Sequence, residues 1–226
     1  MKRILFSIPA VLLLCQCTSH GTFSAYERAV IMESDSVMYV TQLAHPGDSV
    51  ILRTPSDTLS PEDLRSPLFQ TLAQKMLTTV QSPQQDGVGL AAPQVGLDRR
   101  VAVVWRGDKP GGPFEVYANL FLLKRFGNIT HGPEGCLSVP PMRGLVPRYD
   151  SVLVRYTDLG TMETVEETVS GYTAIIFQHE CDHLDATIYI DRADTLFVSD
   201  SWVVERSPFE AAGLYARPDY MGKAVK

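Results

Sequence analysis

Two histidines four residues apart, in His179-Glu180-Cys181-Asp182-His183, restrict the fold of this chain more than any other feature. On an α-helix, residues i and i+4 share a face, so both imidazoles reach one metal ion and Glu180 sits beside it. The flanking residues agree, because Tyr172 to about Leu184 has the apolar spacing of a buried helix that starts after Ser170-Gly171. A metal that does chemistry usually takes three protein ligands and keeps one position open. Downstream, Asp185, Asp191 and Asp194 are candidates for the third ligand. Upstream, Glu134-Gly135-Cys136-Leu137-Ser138-Val139-Pro140 sets a cysteine in a glycine- and proline-bounded turn. Such a turn can aim a thiolate at a metal, although Cys136 by itself reads more readily as a small buried hydrophobe.

The remaining pattern is α+β. Ser66-Pro67 is a helix start, and Leu68, Phe69, Leu72, Met76, Leu77 and Val80 continue it at helical spacing to about Gln81. The stretch from Gly87 to Gly96 is too glycine-rich for a regular element. Strands are expected at Val101 to Trp105, Phe114 to Leu123, Val152 to Tyr156, Thr164 to Val169 and, briefly, Thr187 to Ile190. Residues 18 to about 45 read as a polar tether with one added strand at Val37-Met38-Tyr39-Val40, and the tail from Arg192 has no strong helical period. With 45% hydrophobic and 20% charged residues in 226, the chain has the composition of a folded domain rather than a disordered one. Its 20 basic against 26 acidic residues argue against a nucleic-acid partner, because little positive charge is available to neutralise phosphates.

Three ordered segments resemble the peptide deformylase family: Gly87-Val88-Gly89-Leu90-Ala91-Ala92-Pro93-Gln94, Glu134-Gly135-Cys136-Leu137-Ser138 and Gln178-His179-Glu180-Cys181-Asp182-His183. The likeness extends to Ile51-Leu52-Arg53, to Arg143 with Leu145-Val146-Pro147-Arg148, and to Tyr189-Ile190-Asp191, so it covers about residues 46 to 191. The resemblance implies antiparallel β-sheets around a central metal-binding α-helix. It also implies that Cys136, His179 and His183 hold one divalent metal, and that Glu180 serves as general base and then general acid. The substrate it implies is an N-formyl-methionyl peptide, which loses formate. The side-chain amide of Gln94 and the backbone N–H of Leu137 would stabilise the oxyanion. Val88 and Gly89 would pair with the extended substrate, Val88, Ile175 and Ile176 would line the methionine pocket, and Arg143 would stand at the cleft mouth. Asp182 points away from the histidines and is expected to form a structural ion pair with Arg148, and Cys181 is expected to be an inert core thiol. A Cys/His/His set accepts Fe(II), Zn(II), Ni(II) or Co(II). The resemblance favours Fe(II), whereas an oxygen-exposed location favours Zn(II).

The N-terminus departs from that family. Met1-Lys2-Arg3 precedes an uncharged run from Ile4 to Leu14, the layout of an export signal too short for a stable membrane span. The run ends Leu12-Leu13-Leu14-Cys15-Gln16-Cys17-Thr18-Ser19, which resembles a bacterial lipoprotein signal. Cys17 is the favoured acylation site, because Leu14 lies three positions upstream and Thr18-Ser19-His20 follows as a polar link. The expected division is therefore a signal peptide at 1–16, a tether at 17–45, a catalytic domain at 46–191 and an extension at 192–226. A lipid anchor would place the protein on a membrane outside the cytoplasm. Asn119-Leu120 and Asp185-Ala186 stand where the family usually has asparagine-proline and an apolar residue with glycine, and the latter is expected to shift the helix end. Two other functions fit parts of the pattern: an exported zinc peptidase with a different third ligand, and a formyl-peptide-binding lipoprotein without catalysis.

Overall fold

Strands β1 (Gly89–Ala91) and β2 (Val101–Trp105) are buried on both faces, which explains why β2 is apolar at every position. Val101 and Val103 face one core, while Ala102 and Val104 face the other. In this computed structural model, which describes residues 23–85 and 87–198, these strands begin an antiparallel sheet. It continues through β3 (Phe114–Gly135), β4 (Met142–Thr157) and β5 (Thr164–Ser170) in sequential order, and β6 (Thr195–Val198) pairs with the first residues of β4. Strands β3 and β4 form a long hairpin, whose register shifts between Ala118 and Phe121, Leu122 and Lys124, and Phe126 and Ile129. Each such bulge bends and twists the ribbon. The first bulge holds Asn119 at φ 52, a conformation asparagine tolerates. Its side chain bonds Leu59 N, Leu59 O and Thr157 Oγ1, so this residue ties the sheet to the segment before it.

Helices cover both faces. Helix α1 (Ala25–Glu33) opens with a capping box between Ser24 and Glu27. Helices α2 (Pro46–Leu52), α3 (Pro61–Arg65) and α4 (Pro67–Val80) each begin with proline in the first turn. Ser66 caps α4 by accepting from Phe69 N at 3.2 Å, a bond worth about 1 kcal/mol. Phe69, Leu72, Met76 and Val80 of α4 pack with Ile31 of α1 and with Leu90, Val101 and Val103 of the sheet. Helix α5 (Tyr172–Leu184) covers the opposite face, where Ala174, Ile176, Phe177, Cys181 and Leu184 meet Ala102, Val104, Tyr117, Val152 and Val154.

The α+β class, α4, α5 and β2 are as expected, but several boundaries differ. Residues from Phe23 onward are not a tether: Phe23, Ile31, Met38 and Val40 are buried in the α4 core, and Lys75 of α4 donates to Ile31 O (2.7 Å) and Ser34 O (2.5 Å). Val37 to Val40 forms no strand, and Gly89–Ala91 is a strand despite its glycine, followed by a 3-10 turn at Ala92–Val95. Strand β3 runs twelve residues past Leu123, because its outer half pairs with β4 through polar and glycine positions that carry no apolar alternation. The expected strand at Thr187 to Ile190 is instead a 3-10 turn, Tyr189–Asp191, in which Asp191 accepts from Ile188 N at 2.8 Å. Strand β6 lies in the extension from Arg192 onward, to which the sequence pattern assigned no element. Helix α5 does end at Leu184, and Ala186 carries the left-handed turn at φ 58 that glycine usually supplies. The signal peptide, Cys15, Cys17 and residues beyond 198 lie outside the described residues.

Candidate active site

The outer half of the β3–β4 hairpin ends at Gly135 and turns back at Met142, and Cys136 is the first residue of that turn. Across from it, α5 presents His179 and His183 one turn apart, with ring centroids 5.2 Å apart. One ligand atom from each of Cys136, His179 and His183 falls within 4.8 Å of the others, and Cys136 Sγ is 3.2 Å from His183 Nε2. A soft thiolate and two imidazoles converging in a buried pocket suit a divalent transition metal and leave room for a fourth ligand. The downstream alternatives are engaged elsewhere. Asp185 pairs with Arg100 at 2.9 Å, Asp191 with Arg53, and Asp194 with His131 at 2.8 Å.

Hydrogen bonds behind the cluster set its orientation. His179 Nδ1 faces Glu134 Oε2 at 2.9 Å, which leaves Nε2 for the centre of the site. Glu134 also accepts two bonds from Arg148, at 2.7 and 3.0 Å, and Arg148 Nη1 reaches Asp182 Oδ2 at 2.6 Å. Arg192 closes this chain with two bonds to Asp182, at 2.6 and 2.8 Å. Burial would push the Glu134 carboxyl up, but bonds from His179 and Arg148 outweigh it and hold it at about 2. Glu134 therefore stays ionised to accept from His179. Tyr189 stacks on the His179 ring at 6.0 Å and donates to Met142 O at 2.7 Å. The expected Asp182–Arg148 pair is present, and Cys181 is fully buried with its thiol pushed up by that burial, consistent with packing alone. Glu134 had no assigned role in the sequence reading. The signal was present in the charged residue two positions before a candidate ligand, but its partner His179 lies 45 residues away.

Glu180 lies beside the histidines, 3% exposed, and among the described residues its Oε2 has no hydrogen-bond partner. Desolvation raises its pKa to about 7. His183 Nδ1 is likewise buried without a described partner, and burial holds this imidazole well below its usual pKa, in the neutral form a metal ligand needs. Gln94 is locked by accepting from Ala91 N at 2.8 Å, which directs its Nε2 toward Cys136 Sγ (3.4 Å) and Ser138 Oγ (3.3 Å). Gly89 needs its missing side chain for a reason the sequence did not show: a Cβ there would lie 2.2 Å from Glu180 Oε1. A cleft of about 500 Å³ opens over these groups, and Val88, Gly89, Arg143, Ile175 and Ile176 all line it, as does Tyr172. The structure thus brings together every proposed site residue except Cys17, which lies outside the described residues.

Comparison with known proteins agrees with this geometry. The family model described as polypeptide deformylase matches residues 38–197. A peptide deformylase from Leptospira biflexa is 38% identical over 150 residues, 63% of this chain and 82% of that protein. One from Roseiflexus castenholzii is 31% identical over 182 residues, covering 75% of this chain and 96% of that protein. Among solved structures, an actinonin-bound class I type b peptide deformylase from Acinetobacter baumannii superposes with a TM-score of 0.61 at 34% identity, covering 70% of this chain and 99% of that one. The Thermotoga maritima enzyme gives 0.60 at 31% identity, with coverage of 70% and 99%. A matched span that begins at Met38 and ends within β6 takes in α5, the whole Cys/His/His cluster and all but the last residue of the sheet, and on this ground the chain belongs to the polypeptide deformylase family, whose members are metallo-hydrolases that remove formyl groups.

Proposed function

We propose that this protein hydrolyses the formyl amide of N-formyl-methionyl peptides, releasing formate and a free amine, and that it does so outside the cytoplasm. The observation that carries the reading is the convergence of Cys136, His179 and His183 beside a buried Glu180 and the aimed amide of Gln94. A divalent ion held by those three side chains would supply Lewis acidity that activates water near neutral pH. Glu180 accepts the proton of the attacking water and passes it to the leaving amine, a role suited to a carboxyl whose pKa burial raises to about 7. Gln94 Nε2 and the Leu137 N–H donate to the oxygen as it gains charge, each such donor being worth about 2.7–4 kcal/mol. Val88 and Gly89 offer backbone to an extended peptide, because Val88 O accepts from Trp105 N (2.8 Å) of β2 while β1 stands at the end of the sheet order, with its other edge available for pairing among the described residues. Val88, Ile175 and Ile176 supply an apolar wall for the methionine side chain, and Arg143 stands at the mouth. One related structure, from Acinetobacter baumannii, is described as Met-ala-ser bound, and a methionyl peptide of that kind is the product this reaction would leave.

The export signal supports the location, with Cys17 as the lipid-bearing residue and Fe(II) or Zn(II) as the metal. The enzyme is tested by formate release from formyl-Met-Ala-Ser with metal analysis on the same anaerobic sample; no formate from fully metallated protein would refute the activity. The anchor is tested by Cys17→Ser, which should move the protein from the membrane to the soluble fraction.

A further inference from the structure

Three consecutive residues of the N-terminal segment donate hydrogen bonds into the two loops that frame the site. Thr41 N donates to Gln94 O at 2.8 Å and Thr41 Oγ1 to Pro93 O at 3.0 Å. Gln42 Nε2 donates to Leu137 O at 3.1 Å and to its own neighbour Val40 O at 2.8 Å. Leu43 N donates to Ser138 O at 2.8 Å. The segment is itself held in place. Gln42 N and the Tyr39 hydroxyl both donate to Asp48 Oδ2, at 2.8 and 2.7 Å, and Asp48 is 1% exposed.

The direction of these bonds matters more than their number. The peptide between Leu137 and Ser138 is trans, so its C=O and N–H point opposite ways. When Gln42 holds the Leu137 carbonyl, it therefore turns the Ser138 N–H the other way, where that N–H meets Cys136 Sγ at 3.4 Å. The preceding peptide is pinned similarly, because Val139 N donates to Cys136 O at 3.0 Å. Gln42 thus acts on the sulfur through one rigid peptide plane, and Thr41 fixes the backbone of the residue whose amide approaches the same sulfur.

We propose that Gln42 is a positioning residue for the metal-binding thiolate: its amide clamps the Leu137–Ser138 peptide so that the Ser138 N–H stays on Cys136, with Thr41 setting the Gln94 turn against it. This rests on the assignment of Cys136 as a metal ligand. Bonds of this kind to a ligand typically change metal affinity or activity by 10–100-fold when removed.

The test compares the full chain with Gln42→Met, which keeps the side-chain length without a donor, and Gln42→Glu, whose ionised carboxylate also lacks one. Each is loaded with Co(II) under anaerobic conditions and read for the thiolate-to-cobalt absorption band, for the rate of cobalt loss to a chelator and for kcat/KM. Both variants should lose metal about tenfold faster, shift the band and lower kcat/KM by about tenfold. An unshifted band together with a metal-loss rate and kcat/KM within twofold of wild type would overturn the proposal, even with a lowered Tm, since a structural role alone moves only the melt. A wild-type protein without a thiolate band would instead refute the assignment of Cys136.

Discussion

Replacing Gly89 with alanine tests the placement of Glu180 without touching any titrating or metal-binding group. The added Cβ would sit 2.2 Å from Glu180 Oε1, 2.8 Å from its Cδ and 2.9 Å from Ile176 Cγ2. Comfortable contact needs roughly 3.5 Å, so the carboxylate has to retreat by about 1 Å. It has little room, because Glu180 is 3% exposed and Ile176 closes the adjoining side. A displacement of that size in a reacting group costs about 100-fold in rate, equivalent to about 2.7 kcal/mol of barrier. Gly89 has an ordinary backbone conformation and sits at the start of β1, so the stability cost should be limited to that of overpacking, about 1–3 kcal/mol. The assay is formate release from formyl-Met-Ala-Ser, coupled to formate dehydrogenase, with metal content measured in parallel. The expected result is full metal occupancy with kcat reduced about 100-fold. A Gly89→Ala protein that keeps its metal and turns over within threefold of wild type would refute the reasoning, because Glu180 would then not be the proton carrier at that position.

Further outcomes follow from other particular contacts. Cys136→Ala removes one of three convergent donors and should abolish stoichiometric metal binding after dialysis, measured by elemental analysis; retention would reopen an aspartate as third ligand. Ala186→Gly relieves a left-handed residue at φ 58 and should stabilise the fold by about 0.5–1 kcal/mol, seen as a raised Tm. Asp98 has a carboxyl pushed up to about 6 by burial, with Glu27 and Asp57 adding repulsion. Its folded form binds a proton more tightly than the unfolded chain, so its contribution is full below about pH 4 and is lost as pH rises through about 6. Asp98→Asn should therefore gain stability over wild type at pH 7.5 and lose that gain at pH 4.5, by thermal melts at both values; equal differences at the two would refute the assignment.

How much of this was legible beforehand follows from the range over which each signal acts. Helices α4 and α5 carry their own periodicity, and Ser66-Pro67 marks a start by a bond that spans three residues, so both were readable. Helix α1 was missed although Ser24 and Glu27 form a capping box, because it is short, its apolar residues Val30, Ile31 and Met32 run consecutively instead of marking one face, and it depends on Lys75 and on the Arg99–Glu27 pair at 2.5 Å for its place. The outer half of β3 was missed because His131-Gly132-Pro133 has neither alternation nor β-branched residues, and only pairing to Leu145, Val146 and Pro147 makes it a strand. Gly89 was read as a backbone partner for the substrate, whereas the nearest atom to its absent Cβ belongs to Glu180, 91 residues later in the chain.

By itself the sequence determined which chemical groups this protein has and how the local ones are spaced. Two histidines four apart with a glutamate between them must share a helical face, since 3.6 residues make a turn. It also determined the family, through three ordered motifs. Only the tertiary structure decided that Cys136, rather than Asp185, Asp191 or Asp194, completes the cluster, and that Glu134, Arg148, Asp182 and Arg192 link in series behind His179. It likewise turned the expected tether into a strap whose Thr41 and Gln42 donate to Pro93 O and Leu137 O. The reason is physical: helical spacing is set by the backbone of neighbouring residues, whereas the contacts of a carboxylate or amide with partners 40 or more residues away exist only once the sheet has brought them together.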